Sequence, residues 1–323
     1  MASPPPPIPS SARAGRTFAS PSTAALALMA AGAVLFALMN FFARLASDSA
    51  SWATVGAARA LVGAFVAIAV ARVRGSSLRI TDKRALLWRS VFGTGTMMAT
   101  FYALSSRSLS LGDTVTLLNL TPVFLAVLAP IFLRERTSPM VALAIALALG
   151  GVVLVLHPSF SFQDVTGAAP GPSAGVTAAV AVLASFVASI AMMLLRRVGQ
   201  TETPEAIAAH YSLFAAAVLG LLALGDLRMP TGRDALAMVA AGICAGLGQI
   251  ALTRAYSLER AARVSGIGYL SVVASALLGA AILHERPSAG ALLGMALVVS
   301  GGLVVTFTRD KLTPGVSPRT GGG

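Results

Sequence analysis

Ten apolar runs of 19 to 23 residues constrain this chain more than any other feature of its sequence. About 20 helical residues cross the roughly 30 Å hydrocarbon core of a bilayer. Helices are favoured because lipid offers the backbone no hydrogen-bond partner, and the alternating ten-residue segments of a membrane β-barrel do not occur in this sequence. The sequence therefore predicts an all-α membrane protein with ten transmembrane helices. The runs occupy residues 24–46, 52–71, 86–106, 111–133, 138–156, 175–195, 205–224, 235–256, 264–283 and 288–307.

The composition agrees with a chain whose surface faces lipid. Of its 323 residues 56% are hydrophobic and 11% are charged, whereas soluble domains carry about 25% charged residues. Residues 1–23 begin with four consecutive prolines after Ser3 and are expected to form a disordered cytoplasmic tail. The run at 24–46 is too long for the apolar part of a signal peptide. A second cytoplasmic tail is expected at 308–323, and an extracytoplasmic linker at 157–174.

The basic residues indicate how the helices are oriented. With the N-terminus placed in the cytoplasm, the cytoplasmic loops hold 17 Lys and Arg residues and the opposite loops hold five. This bias predicts that both termini are cytoplasmic. It also accounts for most of the net charge of +12, and no aromatic residues are interleaved with the basic ones, so nucleic acid is not an expected partner. The preference for Arg over Lys and the abundance of Ala and Gly favour a bacterial cytoplasmic membrane.

The two halves of the chain repeat each other. A shift of 150 residues aligns a Leu-x-Glu-Arg motif and the glycine that follows it, each between two apolar runs. The repeats cover 24–156 and 175–307 and hold five helices each, and an odd number of helices inverts the second copy in the membrane. Inverted repeats are typical of secondary transporters, which bind their substrate between the repeats. The aligned residues are Leu133, Glu135, Arg136 and Gly151 with Leu283, Glu285, Arg286 and Gly301.

Several motifs give the chain a family resemblance. They run from Phe101-Tyr102-Ala103-Leu104 through Leu120-Thr121-Pro122 to Leu133-Arg134-Glu135-Arg136 and Gly150-Gly151-Val152, and return as Leu283-His284-Glu285-Arg286 and Gly301-Gly302. The chain resembles EamA-type members of the drug/metabolite transporter superfamily over about 24–307. Arg59 matches an arginine often seen in the second helix of this family. The resemblance implies transport of a metabolite or drug by alternating access, without naming the solute.

Six polar residues deep in the apolar runs are predicted to bind substrate in a central space between the repeats. Polar and charged groups are costly in lipid, and the interface between the repeats is where water can reach them. Three come from the first repeat and three from the second: Asn40, Arg59, Asn119, His210, Gln249 and Tyr269.

Four of these residues, Arg59, His210, Asn40 and Asn119, also have a structural interpretation. Arg59 either extends to the head groups or faces the cavity, where it would pair with Asp113 or hold an anionic part of the substrate. Asp113 itself fits a stabilising acid at a helix N-terminus. His210 is either a titrating group or a packing residue, and asparagines also bridge helices. Pro122 is expected to interrupt the fourth helix.

No catalytic, metal or cofactor site is predicted. Cys244 is the only cysteine, and His157, His210 and His284 lack the spacing of metal ligands. The expected partners are a small-molecule solute and membrane lipid. The preferred function is a secondary transporter, with export as the favoured direction. A channel or non-transporting scaffold and a lipid-modifying enzyme are the alternatives, although the residue sets that an enzyme requires are absent from the apolar runs. The oligomeric state is left open.

Overall fold

The computed structural model describes residues 23–121, 123–124, 127–128, 139–156, 173–199, 201–226, 230–258 and 265–312. Within these ranges the secondary structure is helical, and the prediction of an all-α chain is confirmed. Of the predicted tails at 1–23 and 308–323 and the predicted linker at 157–174, residues 1–22, 157–172 and 313–323 lie outside the described residues, whereas 308–312 form the end of the last helix. The helices are α1 (Thr23–Ala46), α2 (Trp52–Arg74), α3 (Lys83–Ser105), α4 (Leu111–Leu118), α5 (Pro139–Leu156), α6 (Ala174–Val198), α7 (Pro204–Ala223), α8 (Gly232–Leu258), α9 (Leu270–Ile282) and α10 (Ala289–Leu312).

Several of these helices are suited to cross a bilayer. Five of them are long and apolar enough by length and composition, namely α1, α2, α6, α7 and α8, and shorter apolar stretches lie in α5, α9 and α10. Large apolar side chains remain exposed on the outside of the helix bundle, among them Phe65, Leu221 and Leu277. An extensive exposed apolar surface is what lipid requires of a multi-pass membrane protein.

Local sequence explains where the helices begin. Seven of them start after a residue whose side-chain oxygen accepts a hydrogen bond from the backbone N–H three residues later, which is the usual N-cap. These caps are Ser51, Asp82, Ser110, Ser173, Thr203, Thr231 and Ser288. At the other end of α2, Gly75 has a φ of 65° and donates its N–H to the last turn. That left-handed conformation is accessible to glycine at little cost.

The fourth helix of the first repeat is interrupted, as predicted. The α-helix ends at Leu118. Pro122 lies outside the described residues, but a proline at that position leaves the carbonyl of Leu118 without its helical N–H. The hydroxyl of Thr121 donates to this carbonyl at 3.5 Å, and the Asn119 side chain donates to the carbonyl of Val115 at 2.8 Å. The Thr121 hydroxyl therefore supplies a substitute donor to the Leu118 carbonyl, whereas the Val115 carbonyl also keeps its helical bond from the Asn119 N–H at 3.0 Å.

The two repeats pack through five antiparallel helix pairs: α1 with α8, α2 with α7, α3 with α6, α4 with α9 and α5 with α10. In the first pair Gly32 approaches Gly248, whereas Ser49, just beyond α1, bonds to Asp234. Residue numbers along α8 decrease where those along α1 increase, so the two helices are antiparallel. A two-fold exchange of the repeats converts α1–α8 into α6–α3 and maps the other three pairs onto themselves.

The α5–α10 pair shows the two-fold relation in detail. A Cβ added to Gly151 would lie 2.6 Å from the carbonyl oxygen of Gly294, and a Cβ added to Gly301 would lie 2.6 Å from that of Ala144. These contacts are equivalent under the shift of 150 residues found in the sequence. Backbones approach this closely only where a side chain is missing. The prediction of two inverted five-helix repeats is confirmed.

Candidate functional site

A cavity of about 240 Å³ lies between the repeats. Its walls come from α1, α2 and α3 of the first repeat and from α6, α7 and α8 of the second. This position, enclosed by both inverted repeats, is where transporters of this architecture bind their substrates. The polar lining residues are Arg59, Arg89, Thr96, Thr100, Tyr211 and Gln249.

Two arginines dominate the cavity. Arg59 in α2 and Arg89 in α3 are each only 6% exposed. The guanidinium carbon of Arg89 lies 4.5 Å from the centre of the Tyr211 ring, which is a cation–π distance. Tyr211 interacts with both guanidinium groups, and its hydroxyl donates to the carbonyl of Gly93 at 3.3 Å. Nη1 of Arg59 lies 3.6 Å from the sulfur of Met97, a weak acceptor.

Neither arginine pairs with a carboxylate of the described residues. Nε of both residues, and Nη1 of Arg89, are buried without a hydrogen-bond partner among those residues. The carboxylates described nearby are engaged elsewhere. Asp48 pairs with Arg107, Glu205 with Arg254, Glu285 with Arg44, Asp113 bonds to Ser110, Asp234 to Ser49 and Thr231, and Glu202 to the backbone of Thr81 and Asp82.

Two of the six predicted site residues line this cavity. Arg59 and Gln249 contribute to its wall from opposite repeats. The suggested pairing of Arg59 with Asp113 is wrong, because Asp113 lies in the first turn of α4 and accepts a hydrogen bond of 2.6 Å from the Ser110 hydroxyl. The interpretation of Asp113 as a helix N-terminal acid agrees with this position.

The placement of His210 in the cavity is wrong. Its side chain is exposed, and Nε2 lies 3.1 Å from the carbonyl oxygen of Leu78 in the loop between α2 and α3. Its neighbour Tyr211 lines the cavity instead. Successive helical residues point about 100° apart, so only one of the two can face the cavity.

The remaining three predicted residues are buried or half-buried outside this lining. Asn40 is buried in α1, and its Oδ1 has no partner among the described residues. Asn119 and Tyr269 lie where α4 and α9 cross. There Asn119 accepts a hydrogen bond of 3.4 Å from Ser271, and the Tyr269 ring packs against Gly302. Asn119 and Tyr269 therefore contribute to the packing of α4, α9 and α10, outside the lining of this cavity.

Sequence reasoning missed Arg89 as a site residue and did not select Tyr211. Arg89 stands six residues from the start of α3, where an arginine usually extends to the head groups. A usable signal was present. Arg59 and Arg89 lie in the apolar runs 52–71 and 86–106, and neither run contains a carboxylate.

One end of the bundle is closed by a buried ion pair. We call it the Ser49 end; it holds the turn between α1 and α2 and the start of α8. Arg44, 2% exposed, pairs with Glu285 of the second repeat at 3.0 Å and donates to the Leu109 carbonyl at 2.5 Å. The other oxygen of Glu285 accepts the Leu111 N–H at 2.7 Å. The same end joins the hydroxyls of Ser106 and Thr177 at 2.9 Å.

The opposite end, which we call the Glu202 end, is joined through the backbone. Glu202, between α6 and α7, accepts hydrogen bonds from the N–H groups of Asp82 and Thr81 at 2.9 and 2.8 Å. The bond from Asp82, followed by that from Thr81, lowers the pKa of the Glu202 carboxyl. The Thr203 hydroxyl donates to the Ser77 carbonyl at 2.8 Å. Both ends of the molecule thus carry polar contacts between the repeats.

Known proteins are similar to this chain in sequence and in fold. The sequence matches the EamA-like transporter family over residues 23–157 and 175–307. It is 27% identical to the pseudopaline exporter CntI of Pseudomonas aeruginosa over 275 residues, which cover 85% of this chain and 93% of that protein. It is 28% identical to mouse solute carrier family 35 member G1 over 208 residues, which are 63% of this chain but only 56% of that relative.

A solved crystal structure has the same architecture. It superposes with a TM-score of 0.66 over 91% of this chain and the whole of the other chain, at 21% identity. Likeness at that identity concerns the fold alone. The family match carries more than the fold, because it is a match of sequence that covers both repeats and most of the described residues. The chain therefore belongs to the EamA-like transporter family.

Proposed function

We propose that this chain is a secondary transporter that moves a small organic solute by alternating access, with the cavity around Arg59, Arg89 and Tyr211 as the solute site. The family and its transporter relatives support the transport function. The location of the cavity carries the assignment of the site. It is bounded by three helices from each inverted repeat, so relative motion of the repeats changes access to it.

The two joined ends support alternating access. At the Ser49 end the repeats are linked by the Arg44–Glu285 pair, and at the Glu202 end by Glu202 and the N–H groups of Thr81 and Asp82. We propose that separation of either set of contacts widens access to the cavity from that end. In the proposed cycle they separate in turn, and the solute crosses without an open channel.

Orientation and direction are part of the proposal. The excess of basic residues in alternate loops supports cytoplasmic termini, a cytoplasmic Glu202 end and an extracytoplasmic Ser49 end. Export is supported by the resemblance to the pseudopaline exporter, which extends over 93% of that relative. The bacterial relatives and the Arg-rich composition support the bacterial cytoplasmic membrane as the location. A riboflavin transporter of Rhizobium johnstonii, 26% identical, shows that related chains are named for different solutes.

Access to the cavity tests this proposal without knowledge of the solute. A reporter cysteine replaces Thr100 in the cavity wall, and Cys244→Ser removes the native thiol. In the same chain, Ser106→Cys and Thr177→Cys are introduced to form a disulfide that locks the Ser49 end. The hydroxyls of Ser106 and Thr177 are 2.9 Å apart, which is close enough for two cysteines at these positions to be joined. The chain with Ser106→Cys alone, treated with the same oxidant, is the matched control.

We expect the unlocked protein in vesicles to react with a membrane-impermeant maleimide from both sides. The locked protein should react from the Glu202 side alone, and reduction should restore reaction from both sides. Reaction from the Ser49 side despite the disulfide would contradict alternating access through this cavity. Failure of the reporter to react from either side would contradict the cavity as the transport path.

A further inference from the structure

The cavity holds two buried positive charges with no negative charge to balance them among the described residues. Arg59 and Arg89 interact electrostatically with each other and with Tyr211, and with no described carboxylate. Arg44 is buried to a similar degree but has Glu285 at 3.0 Å. This chain therefore does supply a counter-charge to a buried arginine, whereas the described residues supply none in the cavity.

An unbalanced buried charge is costly enough to require an explanation. Charged groups inside membranes pair with one another or face the water-filled path of a substrate or ion. Two guanidinium groups in one small cavity add mutual repulsion to the cost of leaving water. Nε of both arginines and Nη1 of Arg89 are buried without a hydrogen-bond partner among the described residues, and both residues line the cavity. A negatively charged ligand would balance the two guanidinium charges and would accept hydrogen bonds from their donors.

The chemistry of the donors defines the group that fits. The planar guanidinium fork matches two oxygens of a carboxylate or phosphate, which a point charge does not. Tyr211 holds the Arg89 plane by its ring at 4.5 Å, so part of the ordering cost is already met before a ligand binds. The two arginines approach from α2 and α3 and thus present two forks to one anionic group.

The rest of the wall defines the body of the ligand. Phe36, Met97, Phe101, Met192 and Leu252 surround the polar groups. The volume of about 240 Å³ lies below the range of about 300–1,000 Å³ typical for drug-sized ligands. The cavity is therefore matched to a small solute with one apolar part and one charged part.

We propose that the solute is a small organic anion, with its carboxylate or phosphate between Arg59 and Arg89 and its apolar part against Met97 and Phe101. This assignment rests on the proposed function, since it names the class of solute for the same cavity. It identifies Arg89 as a second determinant of specificity beside Arg59. It also gives Tyr211 a positioning role, because Tyr211 orients Arg89 and does not carry the charge.

A series of four matched phenyl compounds tests the sign of the charge. The purified full-length chain in neutral detergent is titrated near neutral pH and at constant ionic strength with phenylacetate, phenyl phosphate, 2-phenylethanol and 2-phenylethylamine. Thermal unfolding reports binding, because a ligand of the folded state raises Tm. We expect the two anions to raise Tm at concentrations at which the alcohol and the amine have no effect.

Two variants connect this preference to the arginines. Arg59→Gln and Arg89→Gln should each weaken anion binding about 10- to 100-fold, since a hydrogen bond to a charged group contributes about that much. Arg72→Gln is the matched control. It removes the same charge from an exposed position at the end of α2 and should leave anion binding unchanged. Inorganic phosphate, which lacks the apolar part, should bind more weakly than phenyl phosphate.

Three results would overturn the proposal: an equal or larger shift with the alcohol or the amine, anion shifts that persist in both glutamine variants, or no shift with any of the four compounds. If the variants fail to fold, the comparison of the four compounds on the unsubstituted chain decides alone. The maleimide experiment uses no solute, so failure of the substrate class is distinguished from failure of the transport mechanism.

Discussion

The Ser49 end and the cavity both bury arginine, but they treat its charge in opposite ways. Arg44 at the Ser49 end has a carboxylate from the other repeat and a backbone carbonyl as acceptors. Arg59 and Arg89 in the cavity have an aromatic ring, a sulfur atom and one shared hydroxyl. All three are nearly inaccessible, so burial alone does not distinguish them. The difference is that a carboxylate of the described residues balances the charge of Arg44, whereas none of them balances Arg59 or Arg89.

This contrast separates structural from functional charges in a membrane protein. A buried arginine with a protein carboxylate as its counter-charge has its role defined by the fold, here a connection between the repeats, although Nε and Nη1 of Arg44 also lack a hydrogen-bond partner among the described residues. A buried arginine on a cavity wall, with no described carboxylate beside it, leaves its counter-charge to be supplied from outside. The two classes should respond to substitution with opposite effects on stability.

The largest effect is expected at the Ser49 end. Glu285→Ala leaves Arg44 buried without its carboxylate and removes the acceptor of the Leu111 N–H. Loss of one partner of a buried pair costs about 3–5 kcal/mol. We expect a reduction of that size in the free energy of unfolding, measured by denaturant titration in detergent or lipid.

The exposed pair at the same end provides the control. Arg107 and Asp48 also form an ion pair, but both side chains are largely exposed. Asp48→Asn should therefore change the free energy of unfolding by less than about 1 kcal/mol. If Asp48→Asn and Glu285→Ala destabilised the protein equally, burial of Arg44 would not explain its importance.

A smaller effect of opposite sign is expected in the cavity. Arg59→Met and Arg89→Met replace an unbalanced charge by an apolar side chain of similar length and should raise the free energy of unfolding by about 1–3 kcal/mol. The same variants should lose binding of the phenyl anions. Arg44→Met, which leaves Glu285 without its positively charged partner, should instead lower the free energy of unfolding. Strong destabilisation by both cavity variants would show that the fold itself needs these charges and would remove the basis of the comparison.

The smallest effect is expected at the Glu202 end, where the partners are backbone N–H groups. Because these bonds lower the pKa of Glu202, its stabilising contribution is present above the unfolded value of about 4.3 and is lost as pH falls through the lower folded value. The Tm of the unsubstituted chain should approach that of Glu202→Gln as pH falls below about 4.3. A constant difference between the two chains across this range would contradict the role of the ionised carboxylate.

Much of the fold was predictable because it depends on local sequence. The lengths of the apolar runs predict ten helices, the shift of 150 residues predicts the repeats, and Pro122 predicts the interruption after Leu118. Antiparallel packing of the repeats follows from their odd number of helices. These properties need no knowledge of which helix packs against which.

The site was less predictable because it depends on helix rotation. Upstream of residue 126 the repeats align only with a short gap, so the counterpart of Arg59 was uncertain by about one residue. One residue is about 100° on a helix. The prediction selected His210, which bonds to the loop at Leu78, whereas Tyr211 lies in the cavity. Arg89 was missed because its depth depends on neighbours from α6 and α7 that the sequence does not place.

The reciprocal glycines of α5 and α10 bear on how such a chain arises. Gly151 meets Gly294 and Val298, and Gly301 meets Ala144 and Ala148, which are the same positions one repeat apart. A single five-helix ancestor meeting an upside-down copy of itself would form both contacts from one sequence. Such an ancestor has to insert into the membrane in both orientations, which requires a nearly even distribution of basic residues between the loops on its two sides. Fusion of two copies removes that requirement, and the 17-to-5 distribution of basic residues in this chain agrees with a fixed orientation of each repeat.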